Sequence, residues 1–166
     1  MITGRRELYE PVRRLLEERF GAADWASPVL DFTETDYYAA EFGPRLARQF
    51  FTFAQLIDPG DLAGIKVWTN GVEAQFAQGP RRRINLDPGY VSLSKLVLAS
   101  AKNHSHRIYI GQGIYAEITL RYYKKAFRPW EWTYPDYASE GYREMFQEIR
   151  ERYMQQLRLS GNQSLE

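Results

Sequence analysis

His106-Arg-Ile-Tyr-Ile110-Gly-Gln-Gly113-Ile-Tyr-Ala-Glu-Ile-Thr-Leu-Arg-Tyr-Tyr123 decides the fold class. Apolar and polar residues alternate on both sides of Gly111-Gln112-Gly113, which predicts a β-hairpin closed by a three-residue loop. The implied register sets Ile110 opposite Ile114 and Arg107 opposite Glu117. One face then carries Ile108, Ile110, Ile114, Ala116, Ile118 and Leu120. The other carries Arg107, Tyr109, Tyr115, Glu117, Thr119 and Arg121. The same stretch contains G-x-G-x-x-A, but a dinucleotide site needs those glycines to open a helix, and a strand follows here.

Upstream, Leu8, Val12, Leu15, Leu16 and Phe20 have helical spacing, with Gly21 as the stop. Val29–Phe32 and Gln49–Phe53 read as short strands, joined through Tyr37-Tyr38 and Gly43-Pro44. Asp58-Pro59 starts a second helix, with apolar positions Leu62, Ile65, Trp68, Val72 and Phe76, that ends at Gln78-Gly79-Pro80. Arg81–Asp87 reads as a strand, Pro88-Gly89 as a turn, and Ser92 as the cap of a short helix through Ala101. Downstream, an aromatic loop over Phe127–Tyr137 leads into a last helix marked by Tyr142, Met145, Phe146, Ile149 and Tyr153. Helices and strands are interspersed and the clearest pairing is antiparallel. The expected fold is α+β: one domain over residues 1–158, mainly antiparallel sheet with helices packed on one face, and a polar tail over 159–166.

The 166 residues suit one domain. Cysteine is absent, which excludes a disulfide scaffold, a thiol nucleophile and a thiolate metal site. The net charge is +1, so no global field steers the chain toward nucleic acid or membrane. No apolar run approaches the ~20 residues of a membrane span, and no apolar segment follows Arg5-Arg6, so the expected compartment is the cytoplasm. There is no G-x-x-x-x-G-K-[ST], which excludes a P-loop.

Several shorter patterns have plain structural readings. Ser92-x-x-Lys95 lacks the partner motifs of the penicillin-binding enzymes. His104-Ser-His106 has metal-ligand spacing, but the chain holds only two histidines, and we expect no metal site. Arg81-Arg82-Arg83 fits a phosphate grip or a solvated strand end that blunts an edge.

One constellation points to a ligand. Alternation along 81–87 sets Arg83, Asn85 and Asp87 on one face. If that strand joins the hairpin sheet, they meet Arg107, Tyr109, Tyr115, Glu117 and Arg121, with Lys95 close by. Such a surface offers bidentate donors, acceptors and stacking rings for an anion. The alternative for its central pair is a cross-strand Arg107–Glu117 ion pair on a solvated sheet. Three functions fit these residues: binding of a nucleotide-, RNA- or phosphate-bearing ligand; a small enzyme with Asp87 or Glu117 as general acid–base, assisted by Lys95 or His106; or a protein-interaction domain using the 127–137 aromatic loop. Catalytic residues, cofactor and oligomeric state are left open, nucleic acid is weakly supported as a partner, and no membrane partner is expected.

Asn85-Leu-Asp-Pro-Gly-Tyr90, Ser94-Lys-Leu-Val-Leu-Ala-Ser100, His106-Arg-Ile-Tyr109, Gly113-Ile-Tyr-Ala-Glu117 and Trp132-Thr-Tyr-Pro-Asp-Tyr137 together resemble the bacterial domain-of-unknown-function family 4416. Asp36-Tyr37-Tyr38 and Trp68-Thr-Asn70 also fit its pattern. The resemblance covers nearly the whole chain and implies a single domain without an assigned activity. It also implies an apolar strand before the first helix, of which Met1-Ile2-Thr3-Gly4 is only the tail, so a start upstream of Met1 and an exposed sheet edge are expected.

Overall fold

The computed structural model describes residues 1–32, 42 and 45–161. The connection read at Tyr37-Tyr38 and Gly43-Pro44, and residues 162–166 of the tail, lie outside the described residues. The chain is α+β with antiparallel sheets, and it forms two compact units, Met1–Pro88 and Gly89–Glu166.

In the first unit, β1 (Ile2–Thr3), β4 (Ala47–Arg48) and β3 (Leu30–Asp31) form a three-stranded sheet in that order. β2 (Ala23–Ala26) pairs with β5 (Phe51–Phe53). The edge expected at β1 is covered. β4 pairs with it on one side, and on the other the Ile2 and Asn85 backbones exchange hydrogen bonds of 2.9 and 2.8 Å.

Helix α1 (Tyr9–Phe20) follows the expected spacing. Val12 and Leu16 are buried, and Gly21, at φ 85°, ends the helix with its N–H on the Glu17 carbonyl. Asp58 caps the single turn Pro59–Asp61 by accepting from Gly60 N at 2.7 Å, and α2 proper runs Leu62–Gln75. Leu8, Val12, Leu16, Val72, Ile84 and Leu86 make the core of this unit.

Segment 81–87 is not a strand. It makes only isolated bridges, Gln78 with Arg81 and Ile2 with Asn85. Ile84, Asn85 and Leu86 are all buried in succession, so no in–out alternation exists there. The Leu86 N–H donates to a side chain, Glu73 Oε1 at 2.7 Å, where a ladder would offer it a carbonyl. Arg83, Asn85 and Asp87 therefore do not lie on the hairpin sheet.

In the second unit, β10 (Ala126–Pro129), β9 (Ile114–Tyr123), β7 (Lys95–Ser100) and β6 (Gly89–Val91) form the sheet in that order, with β8 (Ile108–Gly111) also paired to β9. The helix expected over 92–101 is instead a turn followed by β7. Ser92 N donates to Lys95 O at 2.8 Å, and Ser94 N to Ser92 Oγ, so the serine caps a turn. β7 then pairs on both sides, with β6 and with β9, and that pairing overrides a leucine-rich sequence that suits a helix. Gly89 is required at the pairing: a Cβ there would strike the Val97 carbonyl oxygen.

The β8–β9 register is as expected at Ile108–Ala116 and Tyr109–Tyr115. Ile110 is bulged out, Gly111 pairs with Ile114, and the turn shortens to Gln112-Gly113, at φ 54° and 75°. A second bulge re-phases β9. Leu96 faces Leu120 but Val97 faces Ile118, which leaves Thr119 extra, and Thr119 and Leu120 are both buried. β10, read from sequence as loop, is a strand joined to β9 by Lys124-Lys125.

The short helix α3 (Pro135–Ala138) precedes α4 (Glu140–Leu159), whose N-terminus Ser139 caps. α4 lies on the face that carries Leu96, Leu120, Tyr122 and Phe127: Arg150 of α4 sets its guanidinium 3.6 Å from the centre of the Tyr122 ring and donates to Leu93 O at 2.7 Å. Glu148 and Arg152 form an exposed i,i+4 pair. Among the described residues, no helix is long and apolar enough to cross a membrane.

Candidate functional site

β8 and β10 both lie along one side of β9, paired to residues 114–116 and 120–123, and between them, among the described residues, that side of β9 has no strand partner. The aromatic loop fills this gap. Trp132 Nε1 donates to Ile118 O at 3.1 Å, and Thr133 Oγ1 to Thr119 O at 2.7 Å. Trp130 N in turn donates to Thr133 Oγ1. The loop thus satisfies backbone acceptors that a broken ladder would orphan. Its tryptophans stack in series with the two histidines that precede β8: His104 on His106, His106 on Trp132 and Trp132 on Trp130, all within 12° of parallel. The Arg121 guanidinium closes the series, 4.2 Å from the Trp130 centroid.

Beside the stack, Glu117 is buried. Its Oε2 accepts from Arg107 Nε at 2.7 Å and from His106 Nε2 at 3.1 Å, and Thr119 Oγ1 donates to Oε1 at 3.2 Å. The Arg107 side chain, 5% exposed, also donates to Ser100 Oγ and Lys102 O. The Arg107–Glu117 pair read from the sequence is thus present, but buried. The Glu117 carboxylate receives three donors, and the Arg107 guanidinium meets three acceptors. Tyr109 and Tyr115 meet edge to face at 5.4 Å, with Tyr109 exposed.

The remaining predicted cations stand differently. Lys95 on β7 lies directly opposite Arg121 on β9, and Arg121 directly opposite Arg128 on β10. Three cations therefore form a row across three adjacent strands. Alternation sets them on the face opposite to Leu96, Leu120 and Phe127, away from α4. Like charges directly opposite each other in a sheet are destabilising. Among the described residues none of the three makes an ion pair, and Arg121 and Arg128 are exposed. Lys124 and Lys125 stand at the hairpin tip beside them. Residues 118–130 hold four cations and no acid, and residues 89–166 carry 11 basic against 8 acidic residues, so the positive balance of the chain sits in the second unit.

Arg83, Asn85 and Asp87 belong to a separate network in the first unit. Asn85 Nδ2 donates to Asp87 Oδ2 at 2.6 Å. Lys66 Nζ, buried, donates to Leu86 O at 2.6 Å and lies 3.4 Å from Asp87 Oδ1 and 3.9 Å from Glu73 Oε1. Arg82, not Arg83, joins them, 3.2 Å from Glu73 Oε2. Arg83 turns toward Glu7 at 3.8 Å. Lys66, Thr69 and Glu73 share the buried face of α2. Sequence reading passed over them, although the signal was there: Lys66 and Glu73 are the only charges in that helix, and seven residues place them on one face. Arg128, Lys124 and Lys125 were missed because the strand that positions them was read as loop.

Burial pushes the Glu73 carboxyl above its ordinary range, against the pull of Lys66, the Leu86 N–H and Arg82. The folded chain then holds this proton more tightly than the unfolded chain does. The group's favourable contribution is complete below the unfolded value near 4.5 and is lost as pH rises from there through the folded value. Urea denaturation at stepped pH is expected to show the natural protein losing stability relative to Glu73→Gln across that window. The opposite slope would contradict the assignment.

The two units together define an α+β protein with one saturated ionic network in the first unit and, in the second, an open cation row beside an aromatic stack. The chain belongs to the family described as Domain of unknown function (DUF4416), whose model matches residues 1–153 and so runs through both units. No curated protein and no solved structure matches it significantly.

Proposed function

We propose that the second unit binds a phosphate-bearing anion on the sheet face that carries Lys95, Arg121 and Arg128. The observation that carries this reading is the row itself: three cations directly opposite one another on adjacent strands, without carboxylate partners among the described residues. A sheet gains nothing from such a row unless an anion joins it, whereas guanidinium groups bind phosphate oxygens in pairs. Stacking on Trp130 holds Arg121 in place before the ligand arrives. The buried Glu117–Arg107–His106 network fixes the strand behind it. Asp87, engaged with Lys66, and Asn85, bonded to Asp87, contribute to folding on this reading. We propose further that residues 1–158 work as one domain in the bacterial cytoplasm; the family match through residue 153 and the cysteine-free composition support this.

Titration calorimetry with inorganic pyrophosphate tests the reading. Binding is expected, with Arg121→Gln weakening it about tenfold or more through the lost bidentate contact and the lost neighbour of both other cations. Equal affinity in the variant would remove Arg121 from the site.

A further inference from the structure

We infer that the ligand of the cation row is a single-stranded nucleic acid, an inference that rests on the anion-binding reading above and narrows it. Five cations of the second unit fall into two groups on and beside β9. Lys95, Arg121 and Arg128 form the row, and Lys124 and Lys125 form the hairpin tip. Tyr123 stands between them, two residues or about 7 Å along β9 from Arg121. Tyr123 is 54% exposed, with the Arg121 guanidinium 5.7 Å and Lys124 Nζ 5.4 Å from its ring centroid. A lone phosphate engages the row or the tip. A ligand that engages both needs at least two anionic groups with a planar group between them, and consecutive nucleotides have that composition.

The turn gives an independent indication. Lys124 and Lys125 both adopt positive φ, 50° and 61°, where Asn-Gly is the usual pair and a lysine side chain is strained. Two charges are held at the tip against local backbone preference. Stacking a base on an exposed ring requires an unpaired strand, and it tolerates any base because each has a π-face. An acidic peptide without rings offers the tyrosine no such partner, and a lipid headgroup layer does not depend on a ring set between two groups of cations.

Fluorescence anisotropy with the full chain and labelled oligo-dT and oligo-U of about eight nucleotides tests this. Between about 50 and 200 mM salt, log affinity is expected to fall against log salt with a slope of about −2 or steeper, as three or more neutralised phosphates require. Tyr123→Ala is expected to weaken binding about tenfold, and Tyr123→Phe to leave it nearly unchanged. The double variant Lys124→Asn/Lys125→Gly relieves the turn, so it folds, and it is expected to flatten the salt slope by about one. An unchanged slope in that variant, or oligonucleotides binding no more tightly than inorganic pyrophosphate, overturns the inference and leaves the anion reading standing. Polyglutamate, or phosphatidylserine vesicles, binding as tightly as the oligonucleotides also overturns it. Failure of oligonucleotides and pyrophosphate alike overturns both.

Discussion

Replacing Glu117 with alanine is expected to destabilise the protein by about 3–5 kcal/mol, measured as a shift in urea midpoint at constant slope. The carboxylate is buried and receives three side-chain donors, Arg107, His106 and Thr119. Its removal leaves the Arg107 guanidinium, 5% exposed, without its carboxylate. A guanidinium does not shed its charge at working pH, so the chain must hold a buried unpaired cation or open the sheet to water. The Ser100 and Lys102 oxygens still accept from Arg107 but carry no charge to offset it. Glu117→Gln keeps an acceptor for Thr119 and is expected to cost less. A near-neutral Glu117→Ala would mean that this network is not what holds β9 to the segment at 106–107.

The second large effect is in the other unit. Glu73→Ala is expected to cost about 3 kcal/mol, at the lower end of the range for breaking a buried pair. It removes the acceptor of the Leu86 N–H and the carboxylate shared by Lys66 and Arg82. Lys66 keeps Leu86 O and Asp87 as partners, and Arg82 is partly solvated, which limits the loss. Burial opposes the ionised carboxylate, and a buried ion pair adds little net stability over apolar residues of similar volume. A Lys66→Met/Glu73→Leu double variant is expected to recover part of what the single variant loses, because it removes the buried ammonium but leaves the Leu86 N–H without its acceptor. Chemical denaturation of the set checks this, and additive losses would contradict it.

These two networks mark where the sequence was legible and where it was not. The hairpin over 108–123 was readable because strict alternation around a glycine-rich turn admits one local answer, and its register held at two of the pairs. Bulges were not readable. Each inserts one residue through the hydrogen bonds of a neighbouring strand, and the one at Thr119 reversed the faces expected for the rest of β9. Leu-Val-Leu-Ala in β7 fits either period, and only the two partners of that strand decide. Segment 81–87 alternates in sequence, yet Asn85 is buried between two core residues because the first unit supplies Asp87 and Arg82 as partners for its amide. The grouping of Arg83, Asn85 and Asp87 with Arg107 and Glu117 assumed one shared sheet face. The five-stranded sheet has no place for residues 83–87. The Lys95–Arg121 part of that grouping does share a face, and it gains Arg128 from a strand hidden by an unusual Lys-Lys turn.

On the proposed reading, the cation row is held at a cost that a bound anion offsets. Thermal melting of Lys95→Gln and Arg128→Gln, in chloride and in pyrophosphate at matched ionic strength, tests it most directly. Each variant is expected to melt above the natural protein in chloride, because a like-charge contact is gone, and to lose most of the stabilisation that pyrophosphate confers on the natural protein. Variants that melt at or below the natural protein in chloride and keep the full pyrophosphate shift would contradict the claim.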